Sequence, residues 1–240
     1  MFKRLFIFLA LLTGLTLLAD RGMAYVAGNA TANQIKVREG LKEDPDVTFR
    51  GFPFVTQAVR GEFEEVDVTV RDLERDGVVV ERIDATLRGV EVDLNDALNG
   101  RVSAVPVDRG EATLRLSYGD VNQYLTRRPG NIRLVVRDGK PYVVSSFGVP
   151  GVGQLDVEGT PTVRVTKTSV RVSVSGVHPV TGSTTLNDAL ARAAGVRASF
   201  TIPLDDLPFG IEVSGAELTE SAMLVDATAT GFVIDVRDNL

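Results

Sequence analysis

Val66-Asp67-Val68-Thr69-Val70 decides the fold: three valines fall on one side of an extended chain, an acid and a hydroxyl on the other. Successive side chains of a strand point to opposite faces, so this alternation is that of a half-buried antiparallel strand. The period of two persists from Val47 onward, in Ala112/Leu114/Leu116, Ile132/Leu134/Val136, Val170/Val172/Val174, Ile202/Leu204 and Phe232/Ile234/Val236. Asp76-Gly77 and Asp138-Gly139 lie between such runs and predict tight hairpins. Short helical interruptions are expected at 94–98 and 186–190, both reading Leu-Asn-Asp-Ala-Leu, and at 120–125. The flanks of the repeated pentapeptide do not match, so no internal duplication is read from it.

Before the strands, residues 25–42 carry a helical pattern. Val26, Ala30, Val37 and Leu41 share one face, Lys36, Arg38 and Lys42 fill the polar remainder, and Ile35 points elsewhere. Asp44-Pro45 closes the pattern, since proline lacks the N–H a helix needs. No linker or low-complexity tract divides residues 47–240. The expectation is an α+β, mainly β protein. One long N-terminal helix, about 25–42, carries a β-rich stretch over 47–240, and residues 25–240 form a single domain. Long strands with one inward face make a curved antiparallel sheet or a barrel, open or closed, and either shape encloses an apolar groove.

Lys3-Arg4 precedes an apolar run, Leu5 to Leu18, broken only by Thr13, Gly14 and Thr16. A basic start followed by such a run reads as an export signal or as an uncleaved membrane anchor over residues 1–24. Gly22-Met23-Ala24 offers a small-x-small cleavage site. Both readings place the remainder outside the cytoplasm, in the periplasm or cell envelope, anchored or secreted.

Composition excludes more than it suggests. The 240 residues are 44% hydrophobic and 24% charged, which suits a folded domain rather than a disordered or polytopic membrane chain. Without cysteine there are no disulfides, zinc thiolates or thiol nucleophiles, and an exported fold must rest on its core. The 26 basic and 32 acidic side chains give −6, and removal of residues 1–24 leaves 23 against 31, or −8. No basic face for nucleic acid is present.

Candidate chemistry is sparse. The one histidine, His178, precedes Pro179 in a turn-like stretch with no local nucleophile, and reads as an exposed loop residue. Gly148, Gly151 and Gly153 lead into another strand rather than into the helix a phosphate loop requires. The pairs Glu64-Glu65 and Asp205-Asp206 point to opposite faces of a strand, so neither converges as glycosidase carboxylates or calcium ligands do. No catalytic residue, cofactor or metal is expected.

Phe49-Arg50-Gly51-Phe52-Pro53-Phe54-Val55-Thr56-Gln57 stands apart. With Phe63 it holds four of the eight phenylalanines that lie beyond residue 24, within fifteen residues. Pro53 cannot donate to a ladder, so the stretch belongs on an edge, a bulge or a bend. Leu207-Pro208-Phe209-Gly210 repeats the chemistry beside Ile202, Leu204 and Ile211. These bends read either as plugs at sheet corners or as the lining of an apolar cavity. The lining would be Phe49, Phe52, Pro53, Phe54, Ile202, Leu204, Leu207, Phe209 and Ile211. Arg50, Arg60, Lys36 and Lys42 would form a basic collar for headgroups or a membrane surface, or else stand as scattered solvated charges.

At these residues the chain resembles the LmeA-type phospholipid-binding envelope proteins of actinobacteria. The resemblance rests on Ala19-Asp20-Arg21 after the apolar run, Gly51-Phe52-Pro53-Phe54-Val55-Thr56-Gln57, and Gly61-Glu62-Phe63 before Val66. It continues through Gly89-Val90-Glu91-Val92-Asp93-Leu94, Val105-Pro106-Val107, Ser117-Tyr118-Gly119-Asp120-Val121-Asn122 and Ile202-Pro203-Leu204, to Leu207-Pro208-Phe209-Gly210-Ile211. It implies an exported or anchored, non-catalytic protein with phospholipid as partner, supporting envelope glycolipid or lipoglycan assembly. The implied fold is similar to the tubular lipid-binding superfamily, a curved sheet wrapped on a helix. The competing reading is an adaptor with a filled core that holds an envelope protein partner. A hydrolase built around His178 is the weakest alternative.

Overall fold

The computed structural model of the chain describes residues 2–75, 78–126, 131–149, 153–167, 169–180, 188–203 and 211–235. For residues 2–9, 11, 12, 75, 78, 147, 149, 189 and 203 it describes the backbone alone. The protein is mainly antiparallel β with a long N-terminal helix, as the alternation predicts. The strands divide between a six-stranded and a five-stranded sheet, both open-edged, which excludes the closed barrel.

The chain runs α1 (Phe2–Glu39), β1 (Asp46–Phe49), α2 (Phe54–Arg60), β2 (Glu62–Arg75), β3 (Val78–Glu91), α3 (Leu94–Leu98), β4 (Ala104–Ser117) and α4 (Tyr118–Thr126). It continues with β5 (Arg133–Arg137), β6 (Lys140–Val149), β7 (Gly153–Thr166), β8 (Ser169–Pro179), α5 (Asp188–Ala198), β9 (Phe200–Pro203), β10 (Glu212–Leu218) and β11 (Ala222–Asp235). One sheet has the order β1-β2-β3-β4-β11-β10 and the other β5-β6-β7-β8-β9. Asp138-Gly139 makes the expected hairpin between β5 and β6, with φ of 50° and 71°. Asp76-Gly77 lies outside the described residues, as do Leu186 and Asn187 of the 186–190 pentapeptide, whose remaining Asp188-Ala189-Leu190 opens α5. The 94–98 copy is α3, and the helix expected at 120–125 is α4.

Backbone contacts group the chain into two compact units. The first takes Met1–Arg71, Asp84–Glu111 and Ala229–Leu240, and the second Asp72–Ile83 and Ala112–Thr228.

In the first unit α1 is one uninterrupted helix through Ala24, and it ends at Glu39 rather than near residue 42. Its buried face is not the one hydrophobic periodicity selects. Val26 and Val37 are exposed, whereas Asp20, Ala24, Gly28 and Ala32 are buried. These four recur every fourth residue and form a ridge along the helix. α1 packs on β1 through it, and a Cβ at Gly28 would run into the Val47 carbonyl oxygen. Close approach, not apolar bulk, chose that face. Val47 pairs with Val68 and Phe49 with Val66 across β1 and β2. Behind them Val66, Val90 and Val107 make a small core.

The second unit holds the larger core. Val170, Val172 and Val174 of β8 are all buried, as their alternation requires. They join Leu134, Val143, Phe200, Val213, Met223 and the α4 residues Val121 and Leu125. Asn122 of α4 holds β5 by both amide atoms, accepting from Leu134 N at 2.7 Å and donating to Leu134 O at 2.8 Å. A helix side chain thus completes a strand edge's hydrogen bonding.

Candidate functional site

The Phe-Pro-Phe bend of the first unit turns directly into a helix. Phe52-Pro53 is cis, and Pro53 occupies the cap position of α2 without a side-chain acceptor to offer. Asp20 of α1 supplies it from far away in sequence. Its Oδ2 accepts from Phe54 N at 3.1 Å and its Oδ1 from Val55 N at 3.1 Å. A carboxylate at a helix's first free N–H groups is the stabilising arrangement. Arg21, next along α1, lies over the Phe52 ring with its guanidinium 5.8 Å from the centroid.

Gln57 locks the bend from the other side. It is buried, donating from Nε2 to Arg50 O at 3.1 Å while its Oε1 accepts from Glu64 N at 2.8 Å. Gly51 sits at φ 85°, where a Cβ would lie 2.6 Å from Gln57 Nε2. The bend therefore needs both a glycine at 51 and a glutamine at 57. Phe49, Phe54 and Phe63 meet over it as a tilted trio, with centroids 4.8–6.0 Å apart. Asp20 and Gln57 are two of the three polar side chains buried among the described residues; Ser145 is the third. Neither is spare for chemistry, because no buried side-chain nitrogen or oxygen among the described residues lacks a partner.

The apolar cluster beside this bend has few buried members. Around the three fully buried valines stand Val47, Phe49, Phe63, Val68, Leu87, Val92, Val105, Phe232 and Ile234, every one only partly buried. Nine half-buried hydrophobic side chains and three buried ones form an apolar face on the strands of the first unit. Of these nine, the sequence singled out Phe49 as lining and noted Phe63 beside it. Val68, Phe232 and Ile234 were legible only as strand positions, Val105 only as a landmark of the resemblance, and Leu87 not at all.

The other anticipated lining residues fall elsewhere. Phe54 is buried, whereas Phe52 and Pro53 are exposed. Ile202, in β9, packs half-buried against the core of the second unit, and Ile211 is half-buried there too. Leu204, Leu207 and Phe209 lie outside the described residues. Of the anticipated collar, Lys36 pairs with Asp44 at 2.8 Å and Arg50 with Asp67 at 2.6 Å. Lys42 and Arg60 are exposed or half-exposed at the surface.

His178 is exposed, but on strand β8 rather than in a loop, because it pairs in register with Glu158 of β7. Its Nε2 lies 3.1 Å from Glu158 Oε1, and the same carboxylate pairs with Arg137. Glu65 is held by Arg88 at 3.0 Å, while Gly153 opens β7 with no helix after it. Among the described residues no cluster of three metal-ligating side chains occurs.

With this geometry in place, comparison with known proteins is decisive in one respect. The profile of the LmeA-like phospholipid-binding family matches residues 18–228. The chain belongs to that family. The LmeA-like match takes in Asp20, the Phe-Pro-Phe bend, Gln57 and nearly all of both units. No curated protein and no solved structure gives a match. What the LmeA-like family contributes is its defining property, phospholipid binding, and the expected resemblance is thereby confirmed.

Proposed function

We propose that the protein is a non-catalytic phospholipid-binding protein of the cell envelope, exported and held at the membrane by α1. The family match over residues 18–228 carries the reading. The half-buried apolar face of the first unit supports it as a candidate seat for the lipid. Each CH₂ of an acyl chain removed from water contributes about 0.8 kcal/mol, so a two-chain lipid needs a long aliphatic lining. Val68, Leu87, Val105, Phe232 and Ile234 offer one, with the Phe49/Phe63 pair at its edge. In that role the protein binds, carries or senses phospholipid in support of envelope glycolipid and lipoglycan assembly.

Asp20 and Ala24 support retention of α1. Both are buried in the first unit, and cleavage after Ala24 would remove the carboxylate that caps α2. Native mass spectrometry of the detergent-extracted full chain tests the binding. Phospholipid masses bound to the folded protein are expected. A lipid-free protein without affinity for phospholipid vesicles would overturn the assignment.

A further inference from the structure

We propose that the end of the first unit built by α2 and α3 is a membrane-docking face, which seats the protein on a phospholipid bilayer at the base of α1's apolar run. The inference rests on the phospholipid-binding reading and adds the surface through which the lipid source is met.

Two short helices meet at this end. α2 contacts α3, and Val92, just before α3, donates its N–H to Gly61 O at 2.8 Å, just after α2. Both helices turn hydrophobic side chains to solvent. On α2 these are Val55 and Val59, one turn apart, with Phe52 preceding them. On α3 they are Leu94 and Leu98, again one turn apart, and no residue of α3 is buried. Val59 is 68% exposed and Leu98 76%, well beyond the partial cover of the core-facing aliphatics. The acids at α3 are occupied locally: its cap Asp93 accepts from Asp96 N at 3.0 Å, and Asp96 lies 3.7 Å from Arg101, just beyond the helix.

The occupant is set by what stands next to this face. Asp20 fixes the first N–H groups of α2 to α1, so the start of α2, with Val55, lies at the level of residue 20. Immediately N-terminal on α1, Leu15, Leu17 and Leu18 are exposed, and the apolar sequence continues back to Leu5. At 1.5 Å per residue, the run from Leu5 to Leu18 is about 21 Å long, short of the roughly 30 Å of a hydrocarbon core. Among the described residues no helix is long and apolar enough to cross a membrane. A short apolar helix is accommodated when flanking groups sink into the interface, and Phe52 under Arg21, with four aliphatic side chains beside it, supplies such groups. A protein partner would need a shaped, partly polar counterpart. A bilayer interface needs only exposed apolar side chains ringing the helix that enters it.

The absence of cysteine makes the test direct. Single variants Val59→Cys, Leu98→Cys and, at exposed Val37 seventeen residues beyond Asp20 on α1, Val37→Cys are made in the full chain. Each is labelled with an environment-sensitive fluorophore and mixed with vesicles of phosphatidylcholine and phosphatidylethanolamine. Blue-shifted emission and quenching by brominated lipid are expected at positions 59 and 98 but not at 37, with little change between about 0.1 and 1 M salt. Labels at 59 and 98 that stay in water on vesicle-bound protein would overturn the docking face, as would protein that binds no vesicles. Native mass spectrometry on the same preparations separates the outcomes. Lipid-loaded protein with water-exposed labels defeats docking alone, whereas lipid-free protein defeats the binding reading itself.

Discussion

Asp20 and Phe54, 34 residues apart, are joined by a 3.1 Å hydrogen bond from the Phe54 N–H to a buried carboxylate. This bond ties α1 to the Phe-Pro-Phe bend and gives α2 the cap that Pro53 cannot provide. Asp20→Ala should leave two N–H groups without their acceptor, at a cost of about 1–3 kcal/mol. Asp20→Asn should recover only part of this, because its amide has one acceptor oxygen where the carboxylate has two. Thermal melts of the three proteins should rank wild type above Asn and Asn above Ala; equal midpoints would show the contact to be energetically idle.

Much of this fold was legible because its logic is local. The Val170/Val172/Val174 alternation needs only the pleat of a strand, and all three are buried. Asp138-Gly139 carries its turn in its own backbone preference. The bend at residues 51–57 was recognised, but its helix was not, since its cap comes from Asp20 on another element. The α1 face was misread for a similar reason. Periodicity rewards Val26 and Val37, yet β1 comes so close that only Gly28 and its alanine neighbours fit. The partial burial of Leu87, Val105 and Phe232 is likewise a tertiary property, because alternation shows which face is apolar and not how much of it is covered.

The second prediction concerns where the folded protein begins. Removing residues 1–17 keeps Asp20 and Ala24, whereas removing 1–24 takes both. The shorter deletion should melt close to the full chain measured in the same detergent. The longer one should melt at least as low as Asp20→Ala, about 2–4 °C for each kcal/mol lost in a chain of this size. Coincident melts for the two deletions would remove the argument that residues 18–24 belong to the folded unit.

Gly28 sets the distance between α1 and β1. Gly28→Ala raises helix propensity by about 1 kcal/mol. It also drives a methyl group into the Val47 carbonyl, an overpacking that costs about 1–3 kcal/mol. The clash should win and the variant should be less stable. Gly14, with nothing within 4 Å of a built Cβ, is the control, and alanine there should be neutral or stabilising. Urea denaturation of both variants checks the sign.

Tyr118 gives the second unit a pH dependence at the alkaline end. Burial pushes its phenol above the ordinary value, and its hydroxyl donates to Thr219 O at 2.6 Å. Between the unfolded value, about 10, and the higher folded one, the unfolded chain loses this proton while the folded protein keeps it. Stability from Tyr118 is therefore full below about pH 10 and is lost as pH rises through the folded value. At about pH 8, Tyr118→Phe should be less stable by about 1 kcal/mol through loss of the hydrogen bond. The gap should narrow above about pH 10, where the variant has no phenol to titrate. A gap constant from about pH 8 to 11 would contradict the assignment.

Delipidation tests the apolar face of the first unit. If phospholipid completes the layer over Leu87, Val105 and Phe232, the bound lipid is part of what holds the fold together. A ligand that binds only the folded state stabilises it by RT ln(1 + [L]/Kd), about 2.7 kcal/mol at a hundredfold excess over Kd. Protein stripped of lipid by detergent exchange should melt lower and bind a hydrophobic dye that the loaded protein excludes. Adding phosphatidylethanolamine should reverse both changes. Phe232→Ser should weaken the reversal, because Phe232 is half-covered and stands on the face the lipid would contact. The dye readout separates this from simple destabilisation: a folded Phe232→Ser protein that takes up lipid and excludes dye as well as wild type would place the acyl chains elsewhere.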